Sequence, residues 1–203
     1  IFKKDYKIYL KKIYKKFKNI IVVYPMVFLA RSISDLISIK NKIKQIEVNY
    51  YTSGEQRGDE IFIDLSPHAL TFFYEICKIN KIKLDKVVQI KKTIKPKVWV
   101  ATIIYKNIKL LMNFKKISKR KKSKFYVKIN NLNISRITKK KNGIFINYLK
   151  FNKNIIQVQN PMKNVFDDAI DSIVKKKIYK ENKVLTKWLM EMTEKIYFKN
   201  TAK

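Results

Sequence analysis

A formal net charge of +32 spread over 203 residues limits what this chain can become more than any other feature. Lys and Arg total 47 against 15 Asp and Glu. A compact body with that surplus repels itself and calls for a polyanion, either nucleic acid or an anionic membrane. The cations are not gathered in a tail, for Lys-rich runs recur at 11–18, 91–97, 115–124, 139–141 and 175–177. Such dispersal suits a protein surrounded by phosphate. The dominance of Lys, Ile, Asn, Tyr and Phe indicates an AT-rich genome; that explains Lys over Arg but not the shortage of acids.

Hydrophobic residues make up 46% and aromatic residues 13%, enough for a packed core. Only 3 Gly and 4 Pro are present, which implies few tight turns and long elements. The single cysteine, Cys77, excludes an intrachain disulfide and a cysteine zinc site, and its apolar surroundings imply a buried, inert thiol. No stretch reaches the roughly 18 apolar residues of a membrane span. The best apolar run, 20–30, contains Pro25 and reads as a buried strand.

Apolar residues at spacings of three and four (Tyr6, Leu10, Ile13, Tyr14, Phe17) predict a basic amphipathic helix over 1–18, and a second helix is expected over 30–46. Residues 52–59 hold two of the glycines and form a loop. Alternation predicts a strand at 60–65; Ser66-Pro67 then resembles an N-cap with Pro at the first helical position, opening a helix that ends near Lys83. Strands follow at 87–92 and 98–105 with a basic loop, 93–97, between them. A short helix at 107–117 and a strand at 124–132 complete a β-α-β-β-α-β order. The fold class this predicts is α+β, a split βαβ or ferredoxin-like core with helical N- and C-terminal extensions. Its expected domains are an N-terminal extension 1–56, an RNA-binding core 57–133 and a C-terminal extension 134–203. Asn142-Gly143 marks a turn before a strand at 144–151, Pro161 opens a helix carrying Asp167, Asp168 and Asp171 in its first turns, and a last helix covers 183–198.

Machinery for catalysis is sparse. His68, the only histidine, sits in the expected first helical turn, where a polar residue is ordinary. Asp167, Asp168 and Asp171 suit a hard cation but equally a helix terminus. No phosphate-binding or dinucleotide-binding glycine loop and no metal-ligand spacing is present, so no enzyme, cofactor or metal is expected.

Residues 60–132 resemble the bacterial-type small-subunit ribosomal protein ten family. The likeness lies in Ile61–Leu65 as a first strand, residues 70–82 as a first helix, and residues 91–97 as a Pro- and Lys-containing loop. It continues in the strand after that loop, in Asn113-Phe114-Lys115, and in Lys119-Arg120 followed by Phe125-Tyr126-Val127-Lys128-Ile129. The family's Ser-Pro-His is Tyr105-Lys106-Asn107 here, and its Glu is Lys115. The resemblance implies a structural constituent of a mitochondrial small ribosomal subunit, with ribosomal RNA and neighbouring ribosomal proteins as partners and no small-molecule substrate. The RNA contacts would come from Lys91, Lys92, Lys95, Lys97, Lys106, Lys115, Lys116, Lys119, Arg120, Lys121, Lys122, Lys124, Lys139, Lys140 and Lys141. Two other classes compete: a peripheral basic subunit of an organellar membrane complex, disfavoured by the dispersed charge, and a nucleic-acid enzyme needing Asp59, Asp64 and the Asp167 cluster to converge.

Overall fold

The computed structural model describes residues 24–36, 42–175 and 179–199, with Lys12 and Val22. The helix expected at 1–18 lies outside these. Alternating side chains build most of the molecule. In β3 (Val98–Tyr105), Trp99, Ala101, Ile103 and Tyr105 are buried while the residues between them are half-exposed. β4 (Lys109–Lys116) repeats the pattern with Leu110, Met112 and Phe114. A period of two places all of these on one face, where a helix would scatter them. The helix expected at 107–117 is therefore a strand, and its hairpin is closed by the Tyr105 N–H donating to the Ile108 carbonyl at 2.9 Å.

With β1 (Gln45–Thr52), β2 (Val87–Lys95), β5 (Lys124–Ile129), β6 (Leu132–Lys141), β7 (Ile144–Phe151) and β8 (Asn154–Val158), these strands form one sheet in the order β2-β3-β4-β1-β5-β6-β7-β8. β1 is parallel to β4 and antiparallel to β5. The split βαβ, ferredoxin-like expectation is thus corrected to a mixed eight-stranded sheet. The sheet runs through both expected domain boundaries, since β1 precedes residue 57 and β6 straddles residue 133.

Asparagine supplies the turns that the scarcity of glycine seemed to forbid. Asn130, Asn142 and Asn152 adopt φ of 52°, 50° and 52°, and Gly143 follows Asn142 at 79°. The short polar Asn side chain tolerates this left-handed region, and positive φ at both central residues gives the two-residue turn that matches strand twist. Residues 91–97 are no projecting loop. Strand β2 continues to Lys95, Pro96-Lys97 makes a tight turn, and the Pro96 and Lys97 carbonyls accept from the Gly58 and Lys116 N–H groups.

Four helices complete the described chain: α1 (Pro25–Leu36), α2 (Asp59–Ile79), α3 (Pro161–Lys175) and α4 (Tyr179–Tyr197). The strand expected at 60–65 and the N-cap at Ser66 both belong to the interior of α2. Ile61, Phe62, Leu65, Ala69, Phe72, Phe73 and Ile76 continue one helical stripe across Pro67, and all are buried. Pro inside a helix costs about 3 kcal/mol, but each large apolar side chain buried here returns about 1.5–3 kcal/mol, so burial decides. The start of α2 is fixed by the Glu60 carboxylate, which accepts from the Arg57 N–H at 3.1 Å. Helix α1 packs on α2, with the Arg31 guanidinium donating to buried Glu75 at 2.8 Å. In α4 the stripe Leu185, Leu189, Met192 and Ile196 is buried, and the Tyr105 hydroxyl reaches the Met192 sulfur. The acids of α3 begin in its second turn, with none in the first.

Candidate active site on helix α2

Helix α2 leaves β1 through the loop 53–58 and returns across the sheet. Asp64 and His68 are four residues apart, so they share one helical face. The imidazole of His68 stacks on the phenol ring of Tyr50 from β1, with centroids 6.1 Å apart and planes 25° from parallel. Register extends this contact into a row. Trp99 pairs with Phe114, Phe114 with Tyr50, Tyr50 with Phe125, Phe125 with Arg136, and Arg136 with Leu149. Every member lies on the helix-covered face, and Arg136 is the only charged one.

Arg136 is oriented by a neutral partner. Its Nε and Nη2 donate to the Asn147 carboxamide oxygen at 3.2 and 3.1 Å, and the Thr138 hydroxyl donates to the same oxygen at 2.9 Å. Asn147 itself is 2% exposed.

The four groups act on one another. Burial lowers the pKa of His68 below the ordinary imidazole value; the Asp64 carboxylate opposes this and the Arg136 cation adds to it. Burial raises the Tyr50 phenol, with Arg136 opposing and Asp64 reinforcing. At neutral pH the site therefore holds an uncharged imidazole able to accept a proton and a protonated phenol, beside Asp64 and Arg136. A perturbed base with specific charged neighbours is a mark of functional sites. The other nucleophile is inert: Cys77 is buried, and burial pushes its thiol up to about 12. Among the described residues no three His, Cys, Asp or Glu converge on a metal site, so Asp59, Asp64 and the Asp167 group do not meet there. No described helix is long and apolar enough to cross a membrane.

The lysines expected to bind RNA fall in several places. Lys91, Lys92 and Lys95 lie along β2, where Lys92 is buried and its ammonium donates to the Tyr197 carbonyl at 2.7 Å. Lys97 is in the β2–β3 turn, and Lys106 lies beyond the far end of β3. Lys115 and Lys116 end β4, and Lys116 donates to the Glu55 carbonyl. Lys119, Arg120, Lys121 and Lys122 occupy the loop before Lys124, and Lys119 pairs with Glu55. Lys139, Lys140 and Lys141 end β6, the first two above the rings of Tyr148 and Phe145. None of them belongs to the Tyr50, Asp64, His68 and Arg136 group. Sequence reading missed that group, although the Asp64–His68 spacing was available to find it.

The fold has counterparts among known structures. No known family pattern and no curated protein sequence matches it. Solved structures do. A dehydrogenase of Clostridium difficile aligns at TM-score 0.56 and 14% identity, over 87% of this chain and 61% of its own. A UDP-N-acetylglucosamine 3-dehydrogenase of Acidithiobacillus ferrooxidans aligns at 0.51 and 9%, over 83% and 57%. An oxidoreductase of Thermotoga maritima aligns at 0.51 and 12%, over 93% and 64%. This chain thus spans less than two thirds of each neighbour, and what it shares with them is a fold.

That fold overturns the ribosomal reading. The likeness to ribosomal protein ten required two helices and a small split-βαβ sheet within 60–132, and the structure has neither the first strand nor the second helix there. With it fall the non-enzymatic role, the ribosomal RNA and ribosomal-protein partners, the exclusion of a small-molecule substrate and the mitochondrial ribosomal location, because the structural neighbours are bacterial dehydrogenases and an oxidoreductase.

The dehydrogenases that share this fold raise the matter of a dinucleotide cofactor, and the described residues do not fit one. Among them, the one glycine-bearing loop leading from a strand into a helix is 53–58, and Asp59 and Glu60 fill the first turn of α2. Negative charge at that terminus repels a pyrophosphate instead of seating it. No hydride step is therefore assigned to these residues.

Proposed function

We propose that this chain supplies the proton-transferring side of a dehydrogenase, with His68 as the base that takes the hydroxyl proton of an alcohol substrate while the hydride on its carbinol carbon passes to a nicotinamide dinucleotide as co-reactant, leaving a carbonyl. The observation that carries this is the placement of the sole histidine, held neutral by burial beside Tyr50, Asp64 and Arg136, on a fold shared with dehydrogenases. Tyr50 shields one face of the imidazole, and Asp64 favours the imidazolium formed on proton transfer. In the reverse direction the same imidazolium returns the proton to the carbonyl oxygen.

The test is turnover of hydroxyl substrates, nucleotide sugars among them, by the full polypeptide. A nicotinamide dinucleotide or a dye serves as electron acceptor. Replacing His68→Asn is expected to lower kcat/KM by about 10²–10⁴-fold, the usual contribution of a positioned base. Asp64→Asn should cost less. Turnover of His68→Asn within a few-fold of the parent would remove His68 from the chemistry.

A further inference from the structure

We infer that Arg136 is the seat for an anionic group of the substrate, a carboxylate or a phosphate, so that the alcohol oxidised here is also an acid. The inference deepens the reading of His68 as the base and rests on it. Arg136 stands half-buried on the same face as Tyr50, in register between buried Phe125 and buried Leu149. A partly desolvated cation is stabilised by a carboxylate partner where one is at hand. Arg136 has no such partner among the described residues.

What it has instead is the carboxamide oxygen of Asn147, shared with Thr138, which fixes the guanidinium plane while leaving its charge uncompensated. A planar, oriented guanidinium matches the oxygens of a carboxylate or phosphate in two-point contact. Lys92, a buried cation, is committed to the Tyr197 carbonyl and offers no such site. Arg136 lies two strands from Tyr50 on the same face, and the Tyr50 ring stacks on His68, so an anion seated on the guanidinium would lie on the face of the sheet that the base meets. Anchoring the acid end of a substrate there would orient its hydroxyl toward the imidazole.

Because His68 is the only histidine, its imidazole gives one resolved proton NMR signal, and that signal reads the site without turnover. The full chain is titrated with pH in chloride, and again with inorganic phosphate or acetate at matched ionic strength. An anion on Arg136 cancels a charge that depresses the His68 midpoint, so the midpoint should move to higher pH and saturate with anion concentration. A response to phosphate alone assigns a phosphorylated substrate, and a response to acetate alone a carboxylic acid. In Arg136→Gln the response should vanish. Should that variant fail to fold, Asn147→Asp places a carboxylate against the guanidinium and should abolish the response in its stead. A midpoint indifferent to both anions in the parent chain overturns the inference, as does a saturable response that survives either substitution. Neither result touches the turnover test of His68, so the two readings fail separately.

Discussion

Tyr50 and His68 face each other ring to ring, 6.1 Å between centroids, although one belongs to the central strand β1 and the other to the middle of helix α2. The contact places the histidine against the sheet, in partial burial, beside a carboxylate one turn back and a cation two strands away.

The imidazole should titrate below the ordinary histidine value, because burial and Arg136 outweigh Asp64. Asp64→Asn removes the group that supports the charged form, so the His68 midpoint should fall further. Arg136→Gln should raise it. A proton NMR titration of the single histidine checks all three directions, and the opposite order among the variants would contradict the charge arrangement.

Stability should follow the same group. A histidine whose folded pKa is depressed binds its proton more readily in the unfolded chain. Its contribution is complete above the unfolded value, declines as pH falls below that value, and stops changing below the folded one. Urea midpoints should therefore drop on acidification from pH ~7.5 toward ~5, and the drop should be smaller in His68→Asn.

Pro67 interrupts the hydrogen bonding of α2 in its interior. Pro67→Ala restores an N–H donor to the ladder, at the loss of some rigidity in the unfolded chain, and should raise stability by about 1 kcal/mol or more. Equilibrium unfolding in urea measures this directly. A lower stability would mean that the proline ring carries packing beyond the helix.

Asn130 combines positive φ with a bridging side chain. Its carboxamide oxygen accepts from the Lys44 and Gln45 N–H groups at 2.9 and 3.2 Å, and its amide donates to the Lys42 carbonyl. Asn130→Gly keeps the backbone freedom and loses the bridge, whereas Asn130→Ala loses both. The losses should be about 1 and 2 kcal/mol respectively, read from unfolding midpoints. Equal losses would assign the whole effect to the bridge.

Legibility in the sequence followed periodicity. Strands β3 and β7 were readable to their ends, because strict alternation and a turn at Asn142-Gly143 bound them. Helix α2 was divided wrongly because Ile61-Phe62-Ile63 imitates a strand and Ser66-Pro67 imitates a helix start, and tertiary burial overrode both local signals. Strand β4 was not legible because Leu111, half-buried on the second face of the sheet, breaks the apolar–polar alternation. Misplacing the start of α2 moved His68 into a first turn and hid its relation to Asp64. The partnership with Tyr50 and Arg136 depends on pairing β1 with β5 and β5 with β6, long-range register that no local pattern supplies.

The most direct test compares two curves from the same polypeptide: the pH dependence of kcat/KM for alcohol oxidation and the NMR titration of His68. A base must be unprotonated to act. The account therefore expects the acidic limb of the rate profile to bend at the His68 midpoint, to follow that midpoint downward in Asp64→Asn, and to disappear with most of the activity in His68→Asn. An acidic limb that stays fixed while the His68 midpoint moves, or that persists at full activity without the imidazole, would contradict His68 as the base.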